Sequence, residues 1–270
     1  MRALLVTFCL LASALPAVAS ERAMALLELV GYDVSAAAEE QMFRELPNKV
    51  GPDLSPDVSR DWQEAGEGLF QAEDLMETAA RAVDTALTPD QIEALAIHYS
   101  SETALAITDL EKASQDPSTA KEVEAEQAAW VAGLDDSFRE RFEIIFAMMD
   151  GMGVVETGTD LALSINFALM SGMAASDALP RSFSEAELLA LVEMQRETVS
   201  VSVRNSVLES MAYAYRDLSD AELRAYSEFL QTPDARAFYA AIGQATAEVA
   251  TRDARILGRR LQEMAAEREL

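Results

Sequence analysis

The chain has 270 residues, half of them apolar, with only 11 glycines and 8 prolines. This composition excludes a disordered chain and is sufficient for one large helical domain or two small ones. The formal net charge is −26, which repels phosphate backbones, so we expect no nucleic-acid partner. The same charge favours solubility in an envelope compartment.

Residues 1–19, with the sequence MRALLVTFCLLASALPAVA, have the layout of a secretory signal peptide. Arg2 supplies the positive charge, and an apolar run from Leu4 to Leu15 follows it. A run of this length is too short to span a bilayer. Small residues follow the run, so we predict cleavage after Ala19 or Ser20 and a periplasmic location.

The only cysteine, Cys9, lies within that apolar run and would leave with the signal peptide. The mature chain would then have no thiol, so burial of apolar side chains must stabilise it without disulfides. Residues 161–175 form the longest later apolar stretch, but Ser164, Asn166 and Ser171 interrupt it. We therefore expect no membrane span after cleavage.

Three helix starts follow the capping-box pattern, in which a Ser or Thr and an acid or amide three residues later bond reciprocally to the backbone. They are Thr88–Gln91, Ser184–Glu187 and Ser219–Glu222. Residues 198–203, TVSVSV, alternate as a strand would, yet they lie in a stretch that we predict to be helical. We predict an all-α fold of helical hairpins, packed as a bundle or a short array.

Residues 87–106 align without gaps on residues 218–237, because both contain a capped helix followed by another helix start. Only four positions are identical, so the similarity has two possible explanations: a duplication, or two unrelated hairpins that share capping chemistry. The helical pattern is interrupted near Gly133. We predict an N-terminal helical region over residues 20–132, with a first hairpin repeat, and a C-terminal helical domain over residues 135–270.

Residues for familiar catalytic chemistry are scarce. His98 is the only histidine and there is no G-x-S-x-G elbow, so we interpret His98 as replacing an aromatic side chain. The absence of H-E-x-x-H makes zinc improbable. Within residues 150–160, Met152 and Val154 stand where a calcium loop places oxygen ligands, so we interpret the glycines there as a helix end. We predict no metal and no cofactor.

A hydrolase such as a glycosidase needs only two acids at a fixed separation. Among 47 acids some pairs arise by chance. We interpret one such pair, Glu122 and Glu126, as a solvated helix face because the two are one helical turn apart. A hydrolase with an unidentified carboxylate pair stays open as an alternative.

The centre of the chain is rich in phenylalanine and methionine, which fill irregular cores and also line adaptable hydrophobic grooves. Both interpretations stay open. The groove would be lined by Phe142, Phe146, Met149, Phe167, Met170 and Met173. Its occupant would be an envelope protein or a hydrophobic ligand.

Four arginines occur near the end of an otherwise acidic chain: Arg252, Arg255, Arg259 and Arg260. Cations late in a helix complement its dipole, and an acidic protein offers many intramolecular partners. We interpret the arginines in this way, and the alternative is a surface for anionic groups of the envelope.

Residues 214–242 combine a capped Leu218–Leu223 start, an aromatic helix that ends at Phe229–Pro233, and a second helix. This arrangement resembles domain of unknown function 2059, a family of secreted bacterial helical proteins. The resemblance covers residues 140–250, and the chain departs from it at Asp234, close to where a glycine is common. It implies an all-helical fold and an exported protein. The family has no assigned activity, so the resemblance implies no functional residues.

Taken together, the sequence predicts a periplasmic, non-enzymatic binding or interaction module of the cell envelope. The alternatives are the hydrolase and a carrier of a hydrophobic ligand. An accessible groove at residues 142–173 would favour binding, whereas two carboxylates facing each other in a polar cleft, one with a raised pKa, would favour the hydrolase.

Overall fold

The computed structural model describes residues 20–49, 56–115, 119–134, 138–175 and 183–268. Within these ranges the chain forms thirteen α-helices and no β-strand, which confirms the all-α prediction. In chain order the helices are α1 (Glu21–Leu29), α2 (Tyr32–Lys49), α3 (Pro56–Ala65), α4 (Ala72–Ala86), α5 (Pro89–Tyr99), α6 (Glu102–Gln115), α7 (Ala120–Val131), α8 (Arg139–Met152), α9 (Val154–Ala175), α10 (Glu185–Glu193), α11 (Arg196–Ala214), α12 (Asp220–Leu230) and α13 (Pro233–Arg268).

The predicted signal peptide, residues 1–19, lies outside the described residues. In the part of the chain that is described, no helix combines the length and the apolar character that a membrane crossing requires.

The three predicted capping boxes are present at the starts of α5, α10 and α12. In the last of them the Ser219 hydroxyl accepts a hydrogen bond from the Glu222 amide at 3.3 Å, and the Glu222 carboxylate accepts one from the Ser219 amide at 2.8 Å. Residues 198–203 lie within α11, so the helical prediction is confirmed there despite the alternating pattern.

The two aligned segments fold alike. Each contains a helix of 11 residues, α5 and α12, followed after two residues by the start of the next helix. His98 and Phe229, which are equivalent in the alignment, stack face to face with ring centroids 3.4 Å apart. The two hairpins therefore meet at equivalent positions, and both interpretations of their likeness stay open.

Buried apolar side chains form two clusters among the described residues. The first joins α1, the start of α2, α4, α5, α6, α8, α11, α12 and the first half of α13, and it includes Tyr99, Met148 and Phe238. The second joins the end of α2, α3, α9, α10 and the second half of α13, and it includes Trp62 and Leu257. Burial on this scale is what a chain without disulfides needs to fold.

The longest helix, α13, belongs to both clusters. Its buried residues from Ala235 to Val249 pack in the first cluster, and those from Ala250 to Leu257 pack in the second. Both clusters combine side chains from the two regions that the sequence predicts. The division at Gly133 stays a prediction.

The glycines near residue 150 end a helix, as predicted. Gly153 adopts a left-handed φ of 65° between α8 and α9, a conformation that costs glycine little. Two residues earlier, Gly151 is buried where α8 meets α12, and a Cβ there would lie 2.9 Å from the Leu230 carbonyl oxygen. The pair of glycines thus sets both the turn and the close approach of two helices.

Candidate functional site

The structure distributes the predicted groove residues over both clusters. Phe142 and Met149 belong to the first cluster, with Met149 only 2% exposed. Phe167 and Met170 belong to the second cluster. These four residues therefore contribute mainly to the interior.

The remaining two groove residues are Phe146 and Met173. Phe146 lies on α8 and is 43% exposed. The side chain of Met173 lies outside the described residues. A shared groove for the six residues stays a prediction.

A glutamate and four tyrosines form a polar cluster between the helices. We call it the tyrosine network, and its members are Glu111, Tyr99, Tyr215, Tyr226 and Tyr239. The hydroxyls of Tyr215 and Tyr226 donate hydrogen bonds to one carboxylate oxygen of Glu111, at 2.5 and 3.1 Å. The hydroxyls of Tyr99 and Tyr239 lie 2.8 Å apart, and that of Tyr226 is beside them. Four of the six tyrosines of the chain thus meet around one acid.

Helical periodicity explains why these side chains converge. On α6, Glu111 lies one turn beyond Ile107 and two turns beyond Ala104, both of which are buried. On α12, Tyr226 lies between the buried Leu223 and Leu230 at the same spacing. Each polar side chain therefore continues an apolar stripe and is carried into the interior by its neighbours.

Arg141 of α8 fixes the turn that carries Tyr215. Its guanidinium donates hydrogen bonds to the carbonyl oxygens of Tyr215 and Leu218, at 2.5 and 2.8 Å, and to the Asp220 carboxylate at 2.7 Å. These bonds satisfy carbonyl groups between α11 and α12 and orient the Tyr215 hydroxyl toward α6.

Burial raises the pKa of Glu111 from its usual 4.5 to about 7, although the hydrogen bonds from Tyr215 and Tyr226 oppose the shift. Burial, and then the charge of Glu111, hold the pKa of each of these two tyrosines well above its usual range. The Glu111 residue is half-buried, since it is enclosed by protein on most sides but keeps some contact with solvent. Glu111 can therefore gain or lose a proton near neutral pH while the tyrosines stay protonated.

The tyrosine network reaches an open cleft at Tyr239. This cleft has a volume of about 490 Å³ and lies where the end of α8, the first half of α9 and the first half of α13 meet. We call it the Asp150 cleft, and its lining includes Asp150, Gly153, Glu156, Thr157, Asp160, Arg236, Tyr239, Gly243 and Gln244. A side chain of the polar network thus forms part of a surface that a ligand can reach.

Two of the three acids in the Asp150 cleft form ion pairs. Arg236 donates a hydrogen bond to Asp150 at 2.7 Å, and Arg196 donates one to Asp160 at 2.6 Å. Glu156 is exposed and has no hydrogen-bond or ion-pair partner within the described ranges. The cleft therefore presents one uncompensated carboxylate beside polar hydroxyl and amide groups.

His98 and the Glu122–Glu126 pair lie apart from the Asp150 cleft. His98 lies in an aromatic group with Phe229 and Tyr99, as its interpretation predicts, and burial lowers its pKa. Glu122 and Glu126 are both exposed, and Glu126 accepts a hydrogen bond from Tyr213 at 2.6 Å. The positions of both features agree with their sequence-based interpretations.

Three of the four late arginines have intramolecular partners, in agreement with the sequence-based interpretation. Arg252 pairs with Asp253 at 2.7 Å and also with Asp74. Arg255 lies 3.7 Å from Glu185, and Arg260 donates hydrogen bonds to the Ala65 and Glu67 carbonyl oxygens at 2.8 Å.

No group of three or more metal-ligating side chains occurs among the residues that the structure describes. Comparisons of the chain with family models, with curated proteins and with solved structures find no match. The resemblance to domain of unknown function 2059 stays a prediction.

Proposed function

We propose that the protein is exported to the periplasm and acts there as a non-enzymatic binding module of the cell envelope. The observation that carries this proposal is the Asp150 cleft, whose volume of about 490 Å³ is in the range of small-molecule sites. Its lining comes mainly from the helices α8, α9 and α13, and regular elements hold a binding site more firmly than loops do.

The charge of the cleft favours a cationic ligand. Arg236 compensates Asp150 and Arg196 compensates Asp160, whereas Glu156 has no such partner among the described side chains. A carboxylate forms strong, charge-assisted hydrogen bonds with an ammonium group. The net charge of −26 also increases the local concentration of cations. We infer that the ligand is a small amine or a basic peptide segment.

The acids with raised pKa support binding over hydrolysis. A hydrolase with two carboxylates holds them close together with one of them protonated. Within the described ranges, the acids with a raised pKa are Glu39 and Glu111, at about 7 each. Burial raises both values, and no second carboxylate contributes to either shift.

Titration of the ¹⁵N-labelled protein with spermidine and with a lysine tripeptide tests this proposal. We expect saturable shifts of the amide signals of Gly151, Gly153 and Gly243, which line the cleft. The variant Glu156→Gln should bind about fivefold more weakly, because one charge-assisted hydrogen bond is lost. The matched control is Glu209→Gln, which removes the same charge from the exposed side of α11.

The control separates binding in the cleft from attraction to the whole acidic surface. Glu209→Gln should change the affinity by less than about twofold, as expected for a distant charge that salt screens. Equal weakening by the two substitutions would contradict a site in the cleft. Unchanged glycine signals at saturating amine would contradict it as well.

A further inference from the structure

The first described residue, Ser20, is held by Asp84 of α4. The Ser20 backbone nitrogen donates a hydrogen bond to one carboxylate oxygen of Asp84 at 2.5 Å. The Ser20 hydroxyl donates another to the second oxygen, also at 2.5 Å. One carboxylate thus receives both donors of the residue that follows the predicted signal peptide.

Ser20 also begins α1 as its N-cap. Its hydroxyl oxygen accepts a hydrogen bond from the Ala23 amide at 3.2 Å. Ala23, Leu26 and Leu27 are at most 1% exposed and pack in the first cluster. Because these residues fix α1 against α4, the position of Ser20 beside Asp84 is set by the core.

A new amino terminus at residue 20 would need a compensating negative charge. An ammonium group at the start of a helix is opposed by the helix dipole, whose positive end lies there. The ordinary pKa of an α-amino group is about 7.7–8.0, so most such groups are charged at neutral pH. Asp84 already lies at the atom that would become this ammonium nitrogen.

Cleavage one residue later fits the structure less well. A chain beginning at Glu21 would lose the N-cap hydroxyl, and removal of such a cap weakens a helix. It would also remove both hydrogen bonds that Asp84 receives from Ser20. The geometry thus favours cleavage after Ala19 over cleavage after Ser20.

We propose that an envelope protease hydrolyses the bond between Ala19 and Ser20, and that the resulting ammonium of Ser20 forms an ion pair with Asp84. Water is the second reactant: the Ala19 carbonyl carbon gains the hydroxyl and the Ser20 nitrogen gains the hydrogen. The amine then takes a proton from solvent. Removal of the signal peptide thereby adds a stabilising contact to the folded domain. This inference rests on the export that we propose above.

Intact-mass measurement tests the position of cleavage. The full-length chain is expressed in a bacterium and recovered from the periplasm by cell fractionation. We expect a single mature species that begins at Ser20. A mature species that begins at Glu21, or at any other residue, would overturn the assigned site. A chain that stays in the cytoplasm with residues 1–19 attached would contradict export itself.

The ion pair is tested on a chain that needs no export. Residues 20–270 are made as a fusion whose tag protease leaves Ser20 as the first residue, and half of the sample is then acetylated at that amine. Acetylation should lower Tm by about 2–4 °C in the natural sequence, as expected for loss of a part-buried ion pair in a protein of this size. In Asp84→Asn the same acetylation should have no effect on Tm.

The control is Asp109→Asn, which removes an exposed acid from α6. Acetylation should lower Tm in this variant as it does in the natural sequence. Equal effects of acetylation in Asp84→Asn and in the natural sequence would overturn the ion pair. That result would leave export and the cleavage site unaffected, because intact mass measures those independently.

Discussion

Glu111 lies on the buried side of α6, where its carboxylate accepts hydrogen bonds from two tyrosine hydroxyls. Its environment could not be predicted from the sequence. Glu111 is one of 47 acids in the chain, and its place on the stripe of Ala104 and Ile107 does not by itself distinguish a buried acid from one at the edge of an apolar face. Its burial depends on α5, α11, α12 and α13, whose packing around α6 is a tertiary property.

The stability of the protein should depend on pH through Glu111. Its pKa of about 7 in the folded protein exceeds the usual 4.5, so the folded state binds this proton more tightly than the unfolded chain does. The stabilisation that the Glu111 proton gives to the folded state is complete below about pH 4.5 and is lost as the pH rises through about 7. Above that pH, the buried ionised carboxylate costs on the order of 1–3 kcal/mol.

Urea unfolding of the variant Glu111→Gln checks this prediction. Glutamine is uncharged at every pH, so the variant should exceed the natural protein in stability at pH 8 by more than it does at pH 5. Glu39 has a similarly raised pKa and titrates in the same range. The variant Glu39→Gln therefore measures how much of the pH dependence of stability comes from Glu39 and not from Glu111. Parallel pH profiles for Glu111→Gln and the natural protein would contradict the raised pKa.

At the scale of the elements, the local signals predicted the fold class and three helix starts. A capping box involves residues only three positions apart, so the sequence alone contains everything that forms it. Residues 198–203 show the limit of local patterns: their alternation resembles a strand, but they form part of α11. Helical context on both sides outweighs the β-propensity of a short segment.

Removing the cap of α12 should destabilise the protein. The variant Ser219→Ala loses the hydroxyl that accepts the Glu222 amide, and such a loss costs about 1 kcal/mol. Ser202→Ala, at an exposed position within α11, is the control and should leave the free energy of unfolding nearly unchanged. Chemical denaturation of both variants measures the difference. If Ser219→Ala is as stable as the control, the Ser219 cap does not contribute to the free energy of unfolding.

At the scale of the whole molecule, the sequence could not show which helices pack together. The phenylalanines and methionines of residues 142–173 predict either a core or a single groove, but the structure distributes them over two clusters. Likewise, the Asp150 cleft combines residues near position 150 with residues near position 240. Contacts between such distant positions leave no periodic signal in one sequence.

Because α13 passes through both clusters, we expect them to unfold together. Leu230→Ala in the first cluster and Leu257→Ala in the second remove side chains that are fully buried. Each substitution should lower the free energy of unfolding by about 2–5 kcal/mol. In a Trp130→Phe background, Trp62 of the second cluster is the only tryptophan.

The fluorescence of Trp62 then reports on the unfolding of the second cluster. Far-ultraviolet circular dichroism reports on the loss of helix in the whole molecule. We expect the two transitions to coincide, and Leu230→Ala should shift the Trp62 transition although it lies in the other cluster. Two separate transitions would show instead that the two clusters unfold independently.

The contribution of α13 to both clusters has a consequence for biosynthesis. Residues from Ala250 to Leu257 complete the cluster that contains Trp62, although they follow it far along the chain. Translation adds about 5–20 residues per second, so the helices around Trp62 wait on the order of ten seconds or more for these partners. During that interval the nascent polypeptide cannot close this part of its interior.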